Sequence, residues 1–321
     1  MRHLYKLFFL TVLFAPGCTT TEKDVAEEKV QVDQTDSTAN VKHQKLAYAL
    51  AYNKTLALWQ VPFEERKIAT SFGPAQVIIS GPVDGEPLVL LHGMNASSTM
   101  WYPNIKAFSE QYRVYAIDFL LEPGKSMNEK EIGSTEQLID WYYEIFEQLK
   151  LNEFSMVGAS RGGWLAINIA LRDSTRINKI ALLSPAQAFI WIRPQSDIIQ
   201  NVGYSLLPRR KRLRSVLKTM TTDVDKLDQK FIEQYFIATE ESDMDNCILQ
   251  MTPFSADQLK SLKMPVLVLI GDNDIINNEK SLETAKYIPL VETATINNAG
   301  HFLSFDQPEI INKKVLDFLK K

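Results

Sequence analysis

Met156-Val157-Gly158-Ala159-Ser160-Arg161-Gly162-Gly163 sets the apolar end of a strand directly against the start of a helix, with one serine at the join. A strand-to-helix turn this tight forces its central residue into a strained conformation, and glycines two before and two after it keep neighbouring side chains from colliding. This is the G-x-S-x-G nucleophile elbow. A glycine-rich turn whose serine only caps a helix is the competing reading. The flanks favour the elbow: Phe154 to Gly158 reads as a buried strand, and Gly162 to Leu171 carries Trp164, Leu165, Ile167, Ile169 and Leu171 as a mostly apolar helix.

Serine is a weak nucleophile at neutral pH and needs a base, which in turn needs an acid to orient it. The chain has four histidines. His3 lies in an apolar leader, His43 in a polar stretch, and His92 before a glycine at the end of Pro87 to Leu91. His301 remains as the base, in Asn298-Ala299-Gly300-His301-Phe302-Leu303, past the strand-like Val291 to Ile296 and before a helix that Pro308 opens. The acid is expected between them. Pro265 to Ile270 is a strand followed at once by Gly271-Asp272-Asn273-Asp274, and the order Ser, Asp, His is that of α/β-hydrolases. The last position of such a turn points at the histidine in this fold, which favours Asp274, while Asp272 is read as stabilising the turn through backbone amides.

His92-Gly93-Met94-Asn95 matches the H-G-x-x loop that lends an amide to an oxyanion hole. Gly93 lets the backbone approach the substrate, so the expected donors are the main-chain N–H groups of Met94 and Arg161. His92 is read as a structural histidine, and the Arg161 side chain as facing solvent or a cap.

With Ser80-Gly81-Pro82, Leu88 to Gly93, Ser97 to Ile105, Leu182-Leu183-Ser184-Pro185-Ala186 and Asn298 to His301 in hand, the chain resembles the α/β-hydrolases, and among them the bacterial carboxylesterases of the naproxen-esterase type. The resemblance runs from about residue 46 to the C-terminus. It implies a mostly parallel eight-stranded sheet flanked by helices, a helical cap inserted after the sixth strand, and hydrolysis of a small-molecule ester with neither metal nor organic cofactor.

The chain of 321 residues, 45% hydrophobic, can bury one substantial core plus an insertion. Lysine plus arginine (35) nearly balances aspartate plus glutamate (39), so no field exists for steering nucleic acid. The two cysteines, Cys18 and Cys247, do not suggest a disulfide framework. Residues 1–18 read as an export leader: basic at Arg2 and Lys6, apolar from Leu7 to Ala15, ending in Ala15-Pro16-Gly17-Cys18. That ending resembles a bacterial lipobox, with Cys18 as the lipidated residue of an exported, membrane-anchored protein; a plain leader is the alternative. Residues 19–44 are polar and read as a disordered tether.

From Lys45 onward the pattern turns globular. Leu46, Ala49, Leu50, Leu56, Leu58 and Trp59 predict a helix packed across the core. Strands are expected at Arg66–Thr70, Gln76–Ser80, Pro87–Leu91, Tyr112–Ile117, Phe154–Gly158, Asn178–Ser184, Pro265–Ile270 and Val291–Ile296, helices alternating with the later ones. The alternation stops between Ser184 and Pro265, where residues of about 187–255 are assigned to the cap, with helices near Ser215–Met220 and Phe231–Ala238. Arg209 to Arg214 is read as a solvated helix face. Glu122-Pro123-Gly124-Lys125-Ser126 ends like a phosphate-binding loop, but Phe119 stands where its first glycine must be. The sequence thus predicts a serine carboxylesterase. A carbon–carbon or amide hydrolase on the same triad, with Arg161 gripping a substrate carboxylate, and a non-catalytic binding lipoprotein are the alternatives.

Overall fold

A computed structural model describes residues 34–192, 209–241 and 251–321. The expected leader, Cys18 and Cys247 lie outside these residues. Eight strands form one sheet in the order β1-β2-β4-β3-β5-β6-β7-β8. They are β1 (Phe63–Ile68), β2 (Ala75–Ser80), β3 (Glu86–Leu91), β4 (Tyr112–Ile117), β5 (Phe154–Ala159), β6 (Ile177–Leu183), β7 (Val266–Gly271) and β8 (Val291–Ile296). β1 and β2 run antiparallel to their neighbours and the rest are parallel. The expected strands all form, with ends shifted by at most three residues. The largest shift is at β1, whose Phe-Glu-Glu-Arg-Lys-Ile run is exposed except at Ile68. Its charges suit a sheet edge, since they discourage pairing with another chain.

The helices are α1 (Gln34–Leu56), α2 (Ile105–Ser109), α3 (Thr135–Gln148), α4 (Arg161–Arg172), α5 (Arg209–Met220), α6 (Gln229–Glu241), α7 (Ala256–Ser261), α8 (Glu279–Ala285), α9 (Leu303–Asp306) and α10 (Pro308–Lys320). Among the described residues none is long and apolar enough to cross a membrane.

Alternation along the strands divides the core in two, because successive side chains of a strand point to opposite faces. Val77, Ile79, Val89, Leu91 and Met156 pack with Trp141, Tyr142, Leu165 and Ile169 on the face covered by α3 and α4. Ile78, Leu88, Leu90, Val157 and Leu269 pack on the other with Tyr48, Tyr52, Phe231 and Phe318, beneath α1, α6 and α10. α3 shows why the sequence commits to a helix there. Ser134 accepts from the Gln137 amide at its N-terminus, a cap worth about 1 kcal/mol. Leu138, Ile139, Trp141, Tyr142, Ile145 and Phe146 then bury one stripe.

Two expectations at the N-terminal end need correction. α1 begins at Gln34, so the last part of the stretch read as a disordered tether is helical. Leu46 and Leu50 are exposed; Leu56 and Trp59 are buried as expected, and Tyr48, Ala51 and Tyr52 supply the rest of the packing. The helix lies against α6, where the Tyr48 hydroxyl takes a hydrogen bond from Gln234 at 3.1 Å and donates one to the Pro123 carbonyl at 2.7 Å. Tyr48 suits that interface because its ring packs while its hydroxyl finds two polar partners, which a leucine could not.

Gly162 is the tightest point between helix and sheet. A Cβ on it would stand 2.0 Å from the Leu91 carbonyl oxygen, and one on Gly158 would stand 2.4 Å from that of Gly162. Gly162→Ala is therefore expected to lower stability by about 2–3 kcal/mol or more. Gly133→Ala, where an added Cβ would meet a Gln137 side-chain oxygen at 3.6 Å, should change it by less than about 1 kcal/mol. Thermal melts of the two variants check the contrast.

Candidate active site

Four chain segments meet beyond the carboxyl ends of the parallel strands. The first is the turn from β5 into α4. Ser160 sits there at φ 51°, ψ −118°, a conformation costing about 1–3 kcal/mol for a residue with a Cβ. Backbone bonds hold it in place: its amide donates to Leu183 at 2.9 Å, and its carbonyl accepts from Gly163 at 3.0 Å and Ala186 at 3.1 Å. The side chain makes no cap bond, so the hydroxyl stays available and the capping reading is set aside.

The second segment follows β8. The Ser160 hydroxyl donates to Nε2 of His301 at 2.9 Å. Nδ1 of the same ring donates to Oδ1 of Asp274, on the turn after β7, at 3.0 Å. His301 and Asp274 are both buried. Burial works against the Asp274 charge, but the adjacent His301, the Ile276 amide and the Asn277 side chain outweigh it and hold the carboxyl below its ordinary value. Asp272 faces elsewhere. It accepts from the backbone amides of Asn298 at 3.0 Å and Ala299 at 3.1 Å, so it ties its turn to the loop that carries the histidine. Burial works against this charge as well, but the Ala299 and Asn298 amides and the Asn273 side chain together outweigh it and hold the carboxyl below its ordinary value. Each lowered carboxyl favours the native state at neutral pH, and that support is lost as pH falls through its folded value.

The third segment is the loop after β3. A Cβ on Gly93 would lie 3.3 Å from Cβ of Ser160, so a side chain here would crowd the serine and only glycine leaves the space beside it open. The adjoining Met94 amide belongs to this loop. The Arg161 amide, in the first turn of α4, is among the N–H groups that a helix cannot satisfy internally. His92 is structural: Nδ1 donates to the Gly93 carbonyl at 2.8 Å and Nε2 accepts from the Phe119 amide at 2.8 Å. Burial pushes its pKa down, which keeps the ring neutral for that pair of bonds.

The fourth segment, after β4, overturns one expectation. The Arg161 side chain does not face solvent: it is 6% exposed, with Nη1 paired to Oε1 of Glu122 and its guanidinium 4.5 Å from the centre of the Phe119 ring. Glu122 belongs to the segment that resembled a phosphate loop. That segment instead wraps Asp118, whose carboxylate takes the amides of Ser98 at 2.8 Å and Lys125 at 2.9 Å.

α5 and α6 lie between β6 and β7 and reach the histidine loop. The Phe302 amide donates to the Met220 carbonyl at 2.9 Å, and Asp306 accepts from Thr221, Thr222 and the Gly300 amide. Sequence reasoning missed Asp306, Asn277 and Glu122. Asn277, three residues after Asp274 in a turn, left a faint trace; Glu122 bonds only to segments far along the chain, and Asp306 does so at Thr221 and Thr222, so neither left one. Among the described residues no group of three or more His, Cys, Asp or Glu comes together to hold a metal.

A strained serine, a histidine and a buried aspartate in relay can make the serine nucleophilic toward an acyl carbon. The family model for the alpha/beta hydrolase fold matches residues 86–308. The chain is 34% identical over 281 residues to the uncharacterized carboxylesterase nap of Bacillus subtilis, covering 85% of this chain and 92% of that one. It is 33% identical to carboxylesterase YbfK of the same organism, covering 85% and 94%. The crystal structure of naproxen esterase (carboxylesterase NP) from Bacillus subtilis superposes with a TM-score of 0.80 at 33% identity, over 86% of this chain and 98% of that one. By fold, by the order of its site residues and by these relatives, the chain belongs to the α/β-hydrolase family, alongside the bacterial carboxylesterases of the naproxen-esterase type.

Proposed function

We propose that the protein is a serine carboxylesterase that cleaves small to medium carboxylic esters through an acyl-enzyme. The observation that carries this reading is the unbroken hydrogen-bond relay from Ser160 through His301 to Asp274, beside the Met94 loop and the start of α4. The carboxylesterase relatives favour ester bonds over the amide and carbon–carbon alternatives.

Ser160 Oγ attacks the ester carbonyl carbon as its proton passes to Nε2 of His301. The carbonyl oxygen takes up the negative charge and is held by the Met94 and Arg161 amides; a donor so placed is worth about 10²–10³ in turnover, because it acts on charge absent from the ground state. Asp274 fixes the Nδ1–H tautomer and balances the imidazolium. The intermediate collapses, the alkoxide leaves with the proton from His301, and the acyl group stays on Ser160. Water then attacks with His301 as base, releasing the acid and restoring the hydroxyl. The insertion carrying α5 and α6 selects substrates from above this site. The leader reading extends the proposal to export and to anchoring through a lipid on Cys18.

Ser160→Ala is expected to lower turnover of a short-chain aryl ester by about 10⁶ without unfolding the protein. A fluorophosphonate should label Ser160 alone; label mapped to another serine would contradict the assignment.

The neighbouring aspartates should separate cleanly. Asp274→Asn is expected to cost about 10⁴ in turnover, since asparagine favours the wrong histidine tautomer. Asp272→Asn should keep most activity and lose about 1 kcal/mol of stability, having one acceptor oxygen where the loop uses two. Steady-state kinetics and melts on both variants give the ranking, and the reverse order would reassign the acid.

For the anchor, Cys18→Ser should release the full-length protein from the membrane fraction of its bacterial host. Unchanged fractionation together with an unmodified N-terminal peptide would leave only a plain leader.

A further inference from the structure

We infer that Glu122 is a positioning residue that keeps both halves of the oxyanion hole in place. The inference deepens the esterase reading and rests on it. One carboxylate serves two segments: Oε1 pairs with Nη1 of Arg161, and Oε2 accepts the Asn95 amide at 2.6 Å. Arg161 itself owns one hole amide, and Asn95 follows the owner of the other. Asn95 is also held at φ 57°, a left-handed conformation that a non-glycine residue keeps only where its surroundings enforce it. Pinning its N–H fixes the peptide plane that joins it to Met94.

The pair is poorly explained by stability alone. Glu122 and Arg161 are only 7% and 6% exposed, and taking two ions out of water costs several kcal/mol each, so apolar residues of similar volume would stabilise the site as well or better. Placement is a better account, because Glu122 stands on a fixed base. Its segment is fastened to the Met94 loop at two further points, the Ser98 amide to Asp118 and the Phe119 amide to His92. The guanidinium in turn rests on Phe119, the residue that His92 holds. Both hole amides are thereby referred to one rigid segment. That matters because a misplacement of about 1 Å can cost about 10² in rate.

The test uses the purified full-length chain. Glu122→Gln keeps one acceptor oxygen and so can serve only one of its two partners. Its kcat on a short-chain aryl ester is expected to fall about 10- to 100-fold with KM changed less than about threefold. Affinity for a trifluoromethyl ketone, whose hemiketal oxygen occupies the hole, should fall in parallel with kcat. A second variant, Glu122→Met with Arg161→Met, removes both charges at similar volume and is expected to melt near the wild-type temperature. It should still show the kcat and ketone losses, since the Asn95 amide has lost its anchor. Recovery of kcat and ketone affinity in the double variant, wild-type kcat in Glu122→Gln, or a loss carried by KM overturns the inference. An unmutated protein that takes fluorophosphonate on Ser160 yet turns over no ester would sink the esterase reading by itself. The labelling rate, which also places an oxygen in the hole, then reads the effect of Glu122.

Discussion

The backbone at Ser160 is the constraint on which the site depends. A left-handed serine between a strand and a helix is costly by about 1–3 kcal/mol, and it persists because β6 and the loop after it are bonded to it from outside the turn. The same turn brings α4 so close to β3 that glycine alone fits at 162 without moving the Leu91 carbonyl. Strain and close packing are two aspects of one arrangement. Lifting the serine above the sheet forces the helix down onto it, and the core of Trp141, Leu165 and Ile169 on that face holds the helix there.

From that turn the polar groups branch in two directions. Toward β7 and β8 runs the relay of His301 and Asp274, whose loops are joined by Asp272 and tied to α5 through Asp306. Toward β3 and β4 runs the brace of His92, Asp118 and Glu122. In both, carboxylates accept backbone amides of the loops, and all but Asp272 are largely buried. Such bonds to a charged acceptor are about twice as strong as neutral ones. They turn irregular segments into rigid supports for chemistry at a neighbouring serine.

The three residues that the fold joins in one hydrogen-bond relay were legible in the chain because each carries a local mark. Ser160 is framed by glycines that the turn requires, His301 follows a strand and a glycine, and Asp274 ends a strand and a tight turn. The strands themselves were legible from continuous apolar runs, which a sheet covered on both faces demands. β1 was placed least well, since an exposed edge lacks that apolar signal. The exchange of Leu46 and Leu50 for Tyr48 and Tyr52 at the α1 interface has a similar cause: a helical stripe can be read one step round the axis until its partner helix is known.

The sequence by itself determined the fold class, the chain order of the serine, aspartate and histidine that come together, and the glycines that make the elbow feasible, because these depend on neighbours in the chain and on period. Only the tertiary structure decided what supports them. Arg161 read as a cation facing solvent or a cap, yet its side chain is buried against Glu122, thirty-nine residues away, and Phe119. For the two aspartates the sequence favoured Asp274, and the folded turn supplies the partners: Asp274 meets the imidazole, and Asp272 the amides of 298 and 299. Burial, charge pairing and side-chain direction are properties of distant segments brought together, and no local pattern of residues encodes them.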